Sequence, residues 1–123
     1  AAVFVVPWLI APVRAARHSL GATLVGMRHE PRIVSVDDHT VDAPPSRHMV
    51  VVRNEDVPGV IGRVGTILGD AGVNIADMHV GRAPSGESAL MVLATSGPVP
   101  AEVRAALAAA DGIVEVHALE LTP

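Results

Sequence analysis

The sequence predicts an α+β domain over residues 48–123, built from four strands and two helices. Short runs of β-branched and aliphatic residues between turn residues predict the strands. Two longer segments place apolar residues at helical spacing. The elements follow one another in the order βαββαβ. That order is typical of the ferredoxin-like arrangement, four antiparallel strands with two helices on one face.

The first half of this domain is predicted as a strand, a helix and a second strand, over residues 48–53, 60–71 and 75–80. Pro58 and Gly59 precede the helix, and Gly72 is expected to end it. The residues expected on the buried helix face are Ile61, Val64, Ile67 and Leu68.

The second half is predicted as a strand over 88–95, a helix over 100–110 and a last strand, with a turn from Arg82 to Gly86. The inward residues are expected to be Val103, Ala106 and Leu107 in the helix and Val114, Val116 and Ala118 in the strand. Since both helices cover one face, we expect the opposite face and the sheet edges to need a partner. A homodimer is the simplest solution.

Residues 1–45 are predicted to be a partial domain. Strands are expected over 21–26, 33–36 and 40–43, followed by a Pro44–Pro45 linker. Two or three strands cannot hold a core by themselves. Residues 1–20 form an unassigned apolar segment, expected to be poorly ordered and too short to span a bilayer.

Composition excludes several classes of function. The net charge is −4, every basic residue is an arginine, and Phe4 and Trp8 are the only aromatic residues. Nucleic acid and anionic membranes are therefore not expected partners. The absence of cysteine excludes disulfides and thiolate chemistry and fits a cytoplasmic protein. The six histidines are scattered, so we expect no metal site.

Two polar loops carry the candidate site. Asn54 and Asp56 precede Pro58 and Gly59 at the start of the first predicted helix, and Asn74 follows that helix. We expect both loops at one end of the sheet, where free N–H groups around Val60 favour a carboxylate. On the residues alone, Asp56 could instead cap the helix and Asn74 could stabilise a turn. Gly59, Gly62, Gly65 and Gly69 match no phosphate-binding motif and are expected to form a smooth stripe for close packing against the sheet or a partner helix.

Two motifs, Asn54 to Gly59 and Ala71 to Ile75, resemble the ACT domain, a small regulatory module that binds amino acids. Within that family the chain is similar to the C-terminal end of the D-3-phosphoglycerate dehydrogenases over residues 48–121. More loosely, residues 21–45 resemble the end of their intervening domain. One departure is Val57, where many relatives have arginine before Pro-Gly.

The resemblance implies an allosteric domain that binds L-serine across a homodimer. Asn54 and Asp56 would come from one subunit and Asn74 from the other. Asp56 would pair with the ammonium group, while Asn74 and the N–H groups around Val60 would bind the carboxylate. The chain itself would hold no cofactor and catalyse nothing, since NAD would bind a separate domain of the parent enzyme.

Two alternative functions share this element order. An acylphosphatase-like hydrolase shares the element order, but Glu55 and Asp56 would repel a phosphoryl group from the loop. The other alternative is a dimerisation-only ACT module without ligand binding, for which Val57 is the best argument.

Overall fold

The computed structural model of the chain describes residues 20–25, 30–36, 39–83 and 86–120, which form seven strands and two helices. The predicted poor order of residues 1–20 lies outside these ranges except at Leu20, the first residue of β1. The strands are β1 (Leu20–Val25), β2 (Glu30–Val36), β3 (His39–Ala43), β4 (His48–Glu55), β5 (Ile75–Arg82), β6 (Ser88–Thr95) and β7 (Ile113–Glu120). The helices are α1 (Val60–Asp70) and α2 (Ala101–Ala108).

The predicted ferredoxin-like unit is confirmed by β4 to β7 with the two helices. Its strands lie side by side in the order β5-β6-β4-β7, and all neighbours are antiparallel. In the central strand β4, Val51 stands opposite Val92 of β6 and His117 of β7. The helix side of this sheet packs into one core cluster, formed by Val50, Val52, Val60, Val64, Leu68, Met91, Leu93, Val99, Val103 and Leu107.

Some residues of the predicted core face outward instead. Ile61 is 48% exposed because the buried stripe of α1 begins at Val60 and continues at intervals of four residues. Ala106 is exposed for the same reason, since α2 buries Val103 and Leu107. In β7, an edge strand, Val114 and Ala118 are exposed, whereas Val116 packs against the core. The predicted spacing was therefore right. The buried stripe of α1 begins one residue earlier than predicted, whereas in α2 and β7 the predicted faces are correct and only some of their residues are exposed.

Helix α1 ends where Gly72 was predicted to end it. Gly72 has a φ of 76° and donates its N–H to the Gly69 carbonyl at 3.0 Å. Val73 donates to the Leu68 carbonyl at 2.9 Å and packs against the core. These are the two hydrogen bonds of a Schellman motif, which needs a left-handed residue after the helix and therefore favours glycine.

The face of the sheet opposite the helices is covered by the chain's own N-terminal strands. Three residues of these strands pack against this face: Ile33 of β2, and Val41 and Ala43 of β3. They form one buried cluster with Met49, Val51, Leu90 and Val92 of the sheet. His39 of β3 also hydrogen-bonds Ser88 at 2.9 Å through Nε2. The expectation that this face needs another partner was wrong, because strands too few for a core of their own share that of the βαββαβ unit.

The outer edges of the sheet are less completely covered. Among the described residues, β3 pairs with β5 only between Thr40 and Arg82. The edge of β5 from Ile75 to Gly81 therefore has no strand partner within the described part of the chain.

The glycine stripe of α1 does not pack against the sheet. A Cβ atom built on Gly62, Gly65 or Gly69 meets nothing within 4 Å. Each interior glycine costs about 0.5–1 kcal/mol relative to alanine. Of the two predicted roles, close approach to the sheet is wrong, and close approach to a partner helix stays a prediction. Within the described ranges, no helix combines the length and apolar character needed to cross a membrane.

Because β2 shares its core with the domain, truncating Ile33 should destabilise the whole unit. Ile33 is 1% exposed, and Ile33→Ala should lower the free energy of unfolding by about 2–5 kcal/mol in a single transition. The matched control is Val57→Ala at an exposed position, which should stay within about 0.5 kcal/mol. Urea denaturation of the full chain measures both. An unchanged stability for Ile33→Ala would show that β2 does not belong to this core.

Candidate functional site

Asn54 is a buried amide at the end of the central strand. It lies in β4, which extends to Glu55, two residues beyond the predicted end of the strand, and Asn54 is 4% exposed. Because it follows Val50 and Val52 in the alternation of the strand, it lies on the helix side of the sheet. Its Nδ2 donates to the Glu55 carbonyl at 2.8 Å, while Oδ1 is buried without a hydrogen-bond partner. A buried acceptor without a donor costs free energy, and a donor that reached this oxygen would recover that cost.

The loop after Asn54 leaves the start of α1 uncapped. Gly59 is the N-cap residue, with a φ of 89°, and the helix has no side-chain cap. The first intrahelical bond runs from Arg63 N to the Gly59 carbonyl, so the N–H groups at Val60 and the next residues have no acceptor within the helix. The start of α1 thus presents donors and the positive end of the helix dipole.

Asp56 does not act as a helix cap. Its Oδ2 instead lies 3.6 Å from Nε of Arg82, at the end of β5. The interpretation of Asp56 as a simple capping residue is therefore wrong. Arg82 was predicted to begin a turn, but it is the last residue of β5 and is brought beside the loop because β4 and β5 run parallel, each antiparallel to β6.

The turn between α2 and β7 supports the same loop from the other side. Gly112 accepts a hydrogen bond from Glu55 N at 2.8 Å, and Arg63 donates from one guanidinium nitrogen to the Asp111 carbonyl at 3.0 Å. Gly112 has a φ of 85°, and a Cβ atom there would lie 2.8 Å from Cγ2 of Val60. Gly112 was not among the predicted site residues, and the signal that could have indicated it is a glycine in the turn after the second predicted helix.

Asn74 lies at the opposite end of the sheet. Its carbonyl accepts a hydrogen bond from Ser96 N at 3.0 Å, next to the last residue of β6. Helix α1, with 11 residues, separates it from the Asn54 loop by about 16 Å along the helix axis. The expectation that both loops meet at one end is therefore wrong within one chain. Asn54, Asp56, Pro58, Gly59 and Val60 are brought together, and Asn74 is not.

Titratable side chains elsewhere form pairs. Asp77 and His79 of β5 are 3.0 Å apart. Glu115 of β7 contacts Arg53 on the adjacent strand β4 and His117 on its own strand. Within the described ranges, no three His, Asp or Glu side chains are grouped as a metal ion requires.

Comparison with known families identifies this architecture. The ACT domain family model matches residues 48–112, which include the loop, α1 and the turn at Gly112. The chain belongs to the ACT domain family. The matched residues contain β4, α1, β5, β6 and α2, and β7 follows directly after them to complete the βαββαβ unit, whereas β1 to β3 precede the match.

The similar curated proteins carry one name. The chain is 40% identical over 96 residues to a D-3-phosphoglycerate dehydrogenase of Archaeoglobus fulgidus and 35% identical over 92 residues to one of Synechocystis. It is 32% identical over 104 residues to the protein of that name from Mycobacterium leprae. These matches cover 76%, 75% and 85% of the chain but only 18%, 17% and 20% of the relatives. The chain thus spans a fifth or less of their length, and the similarity extends beyond the ACT domain itself.

The contact between Gly112 and Val60 predicts a cost for any side chain at this turn. Gly112→Ala combines a left-handed backbone with a Cβ contact of 2.8 Å and should destabilise the chain by about 2–4 kcal/mol. Gly62→Ala is the matched control, because its Cβ atom meets nothing; it should stabilise by about 0.5–1 kcal/mol. Thermal and urea unfolding measure both. Equal stabilities for the two variants would contradict the described packing of the turn.

Proposed function

We propose that this chain is an amino-acid-binding regulatory domain whose ligand is L-serine. The observation that carries the proposal is the buried Oδ1 of Asn54, which lacks a hydrogen-bond partner at the end of β4, in the segment that leads to the uncapped start of α1. A zwitterionic amino acid needs acceptors for its ammonium group and donors for its carboxylate. Asp56 and the Asn54 oxygen supply acceptors, and the N–H groups around Val60 supply donors.

The proposed site is completed by a second copy of the chain. A two-fold axis pairing the open edges of β5 antiparallel would place the start of the partner's strand beside the end of this one. Asn74 precedes β5 and Arg82 ends it, so Asn74 of the partner subunit would arrive beside Arg82 and Asp56. The separation of the two motifs within one chain is what such a shared site requires.

Exposed apolar residues support this choice of edge. Ile61 and Val80 are 48% and 46% exposed. Arg63 contacts the α2–β7 turn, and Ile61, two residues earlier, lies about 200° around the helix from it, on the β5 flank. Gly65 lies on the same flank and leaves open space there. Apolar side chains and a smooth helix surface at one sheet edge are typical of a packed interface.

The ligand class follows from the size and polarity of these groups. The loop side chains are short, which favours serine or glycine over an aromatic amino acid. The parent enzyme is proposed to be an NAD-dependent D-3-phosphoglycerate dehydrogenase of serine biosynthesis in the cytoplasm. NAD would bind a separate domain of the parent, and this chain would hold no cofactor and catalyse no reaction. Serine would regulate the parent only through different affinities for two arrangements of the subunits.

Calorimetric titration of the full chain tests the proposal. L-serine should bind at about one site per chain, as the two-fold symmetry of the site implies. Glycine should bind more weakly, and L-phenylalanine should show no binding. Asp56→Asn and Asn74→Ala should each weaken serine binding about 10-fold to 100-fold, because each removes a hydrogen bond to a charged group. The full chain is used since β2 and β3 share the domain core.

The matched control is Glu120→Gln, which neutralises an exposed carboxylate at the end of β7, the strand of the βαββαβ unit farthest from β5, and should leave serine affinity unchanged. The alternative is a dimerisation-only ACT module, favoured by Val57 at the place of the loop arginine. No heat and no thermal shift at millimolar serine, from protein shown to be dimeric by light scattering, would overturn the sensor and support that alternative.

A further inference from the structure

We infer that Arg82 provides the cation that binds the ligand carboxylate, in place of the loop arginine that this chain lacks. The inference rests on the proposed function and adds to it a residue that determines specificity. It follows from the charges of the loop, from the contacts of three arginines and from the position of the β5 edge.

The loop is acidic where a carboxylate has to bind. Glu55 and Asp56 are consecutive and exposed, and Val57 contributes no charge. A carboxylate entering beside two others is repelled unless a cation accompanies it. The helix N-terminus offers partial positive charge only. A cation close to this loop would therefore strengthen the binding of a zwitterion.

Arg82 is the arginine that lies at the β5 side of the loop, where it forms a long ion pair with Asp56. Its Nε lies 3.6 Å from Oδ2 of Asp56, and its side chain is 71% exposed. That separation is an ion pair longer than a hydrogen bond. Within the described part of the chain, no hydrogen bond occupies the guanidinium. Its N–H fork is therefore available for bidentate binding of a carboxylate.

The neighbouring arginines are committed elsewhere. Arg63 donates to the Asp111 carbonyl at 3.0 Å, on the flank of α1 away from β5. Arg53 pairs with Glu115 at 3.0 Å. The alternation along β4 places Arg53 on the face of the sheet opposite the one that carries Val50, Val52 and Asn54. Neither guanidinium faces the β5 edge.

The position of Arg82 also matches the shared site. Arg82 pairs with Thr40 of β3, and the open part of the β5 edge ends beside it at Gly81. In an antiparallel pairing of these open edges, Asn74 of the partner subunit would arrive at that end of β5. Arg82 would then stand between Asp56 of its own chain and that asparagine. The ligand's ammonium group would face Asp56, and its carboxylate would face Arg82 and Asn74 of the partner subunit.

The test compares two ligands that differ only at the carboxylate. L-serinamide keeps the ammonium and hydroxyl groups of L-serine but carries no negative charge. The full wild-type chain should bind L-serine at least about 10-fold more tightly than L-serinamide. Arg82→Ala should weaken L-serine binding about 10-fold to 100-fold and change L-serinamide binding less than about 3-fold, since only the carboxylate loses its partner. Arg82→Lys should recover part of the preference because it restores the charge without the fork.

Arg47→Ala is the matched control. Arg47 also forms an exposed ion pair, 3.7 Å from Glu120, but at the other end of the sheet, and its loss should leave both affinities unchanged. The inference would be overturned if the Arg82→Ala chain bound L-serine as tightly as the wild-type chain, or more tightly. Tighter binding would show that Arg82 competes with the ligand's ammonium group for Asp56. An equal decrease in the affinities for L-serine and L-serinamide would also overturn the inference, since it would indicate damage to the loop. A wild-type chain that binds neither ligand overturns the proposed function itself, which separates the two failures.

Discussion

The structure depends on the burial of β4 on both faces and along both edges. Its neighbours are β6 and β7, its helix side faces α1 and α2, and its other side faces β2 and β3. Residues Met49 to Val52 are each at most 5% exposed. A strand held in this way cannot shift its register without moving apolar side chains out of two clusters. The position of the loop that follows it is therefore fixed.

This rigidity places polar groups where they carry a cost. At the end of β4 the register with β7 shifts between Arg53 and Asn54, and Asn54 is buried with one unpartnered oxygen. Helix α1 follows, with Gly59 as its N-cap residue and no side-chain cap. Both features are unfavourable for the isolated chain. Both features lie in the segment from Asn54 to Gly59, where the proposed amino-acid ligand would satisfy donors and acceptors together.

The sequence predicted the βαββαβ unit well because its signals are local. Gly72 ends α1 through a backbone geometry that few residues other than glycine adopt, and the β4 and β6 runs are continuously apolar because both faces are buried. The phase of α1 was less predictable. Ile61 and Leu68 are equally apolar, and only packing decides that one is exposed and the other buried.

Other features could not be predicted because they depend on contacts between distant parts of the chain. The pairing of Arg82 with Asp56 requires the order of strands in the sheet. The packing of Ile33 under β4 requires that the N-terminal strands fold back over the sheet. The motif containing Asn74 was identified correctly as a motif, but its place at the far end of α1 follows only from the length of the helix and the direction of β5.

The central claim is that one site is built from two chains. It is tested most directly by mixing an Asp56→Ala chain with an Asn74→Ala chain. The mixture is partially denatured and refolded so that subunits exchange, and serine binding is then measured by calorimetry. A mixed two-fold dimer contains one site with both substitutions and one site with neither, so random mixing should restore about one intact site per four chains. The restored sites should have wild-type affinity, although each variant alone binds weakly. A mixture that binds no better than its separate components would contradict the shared site.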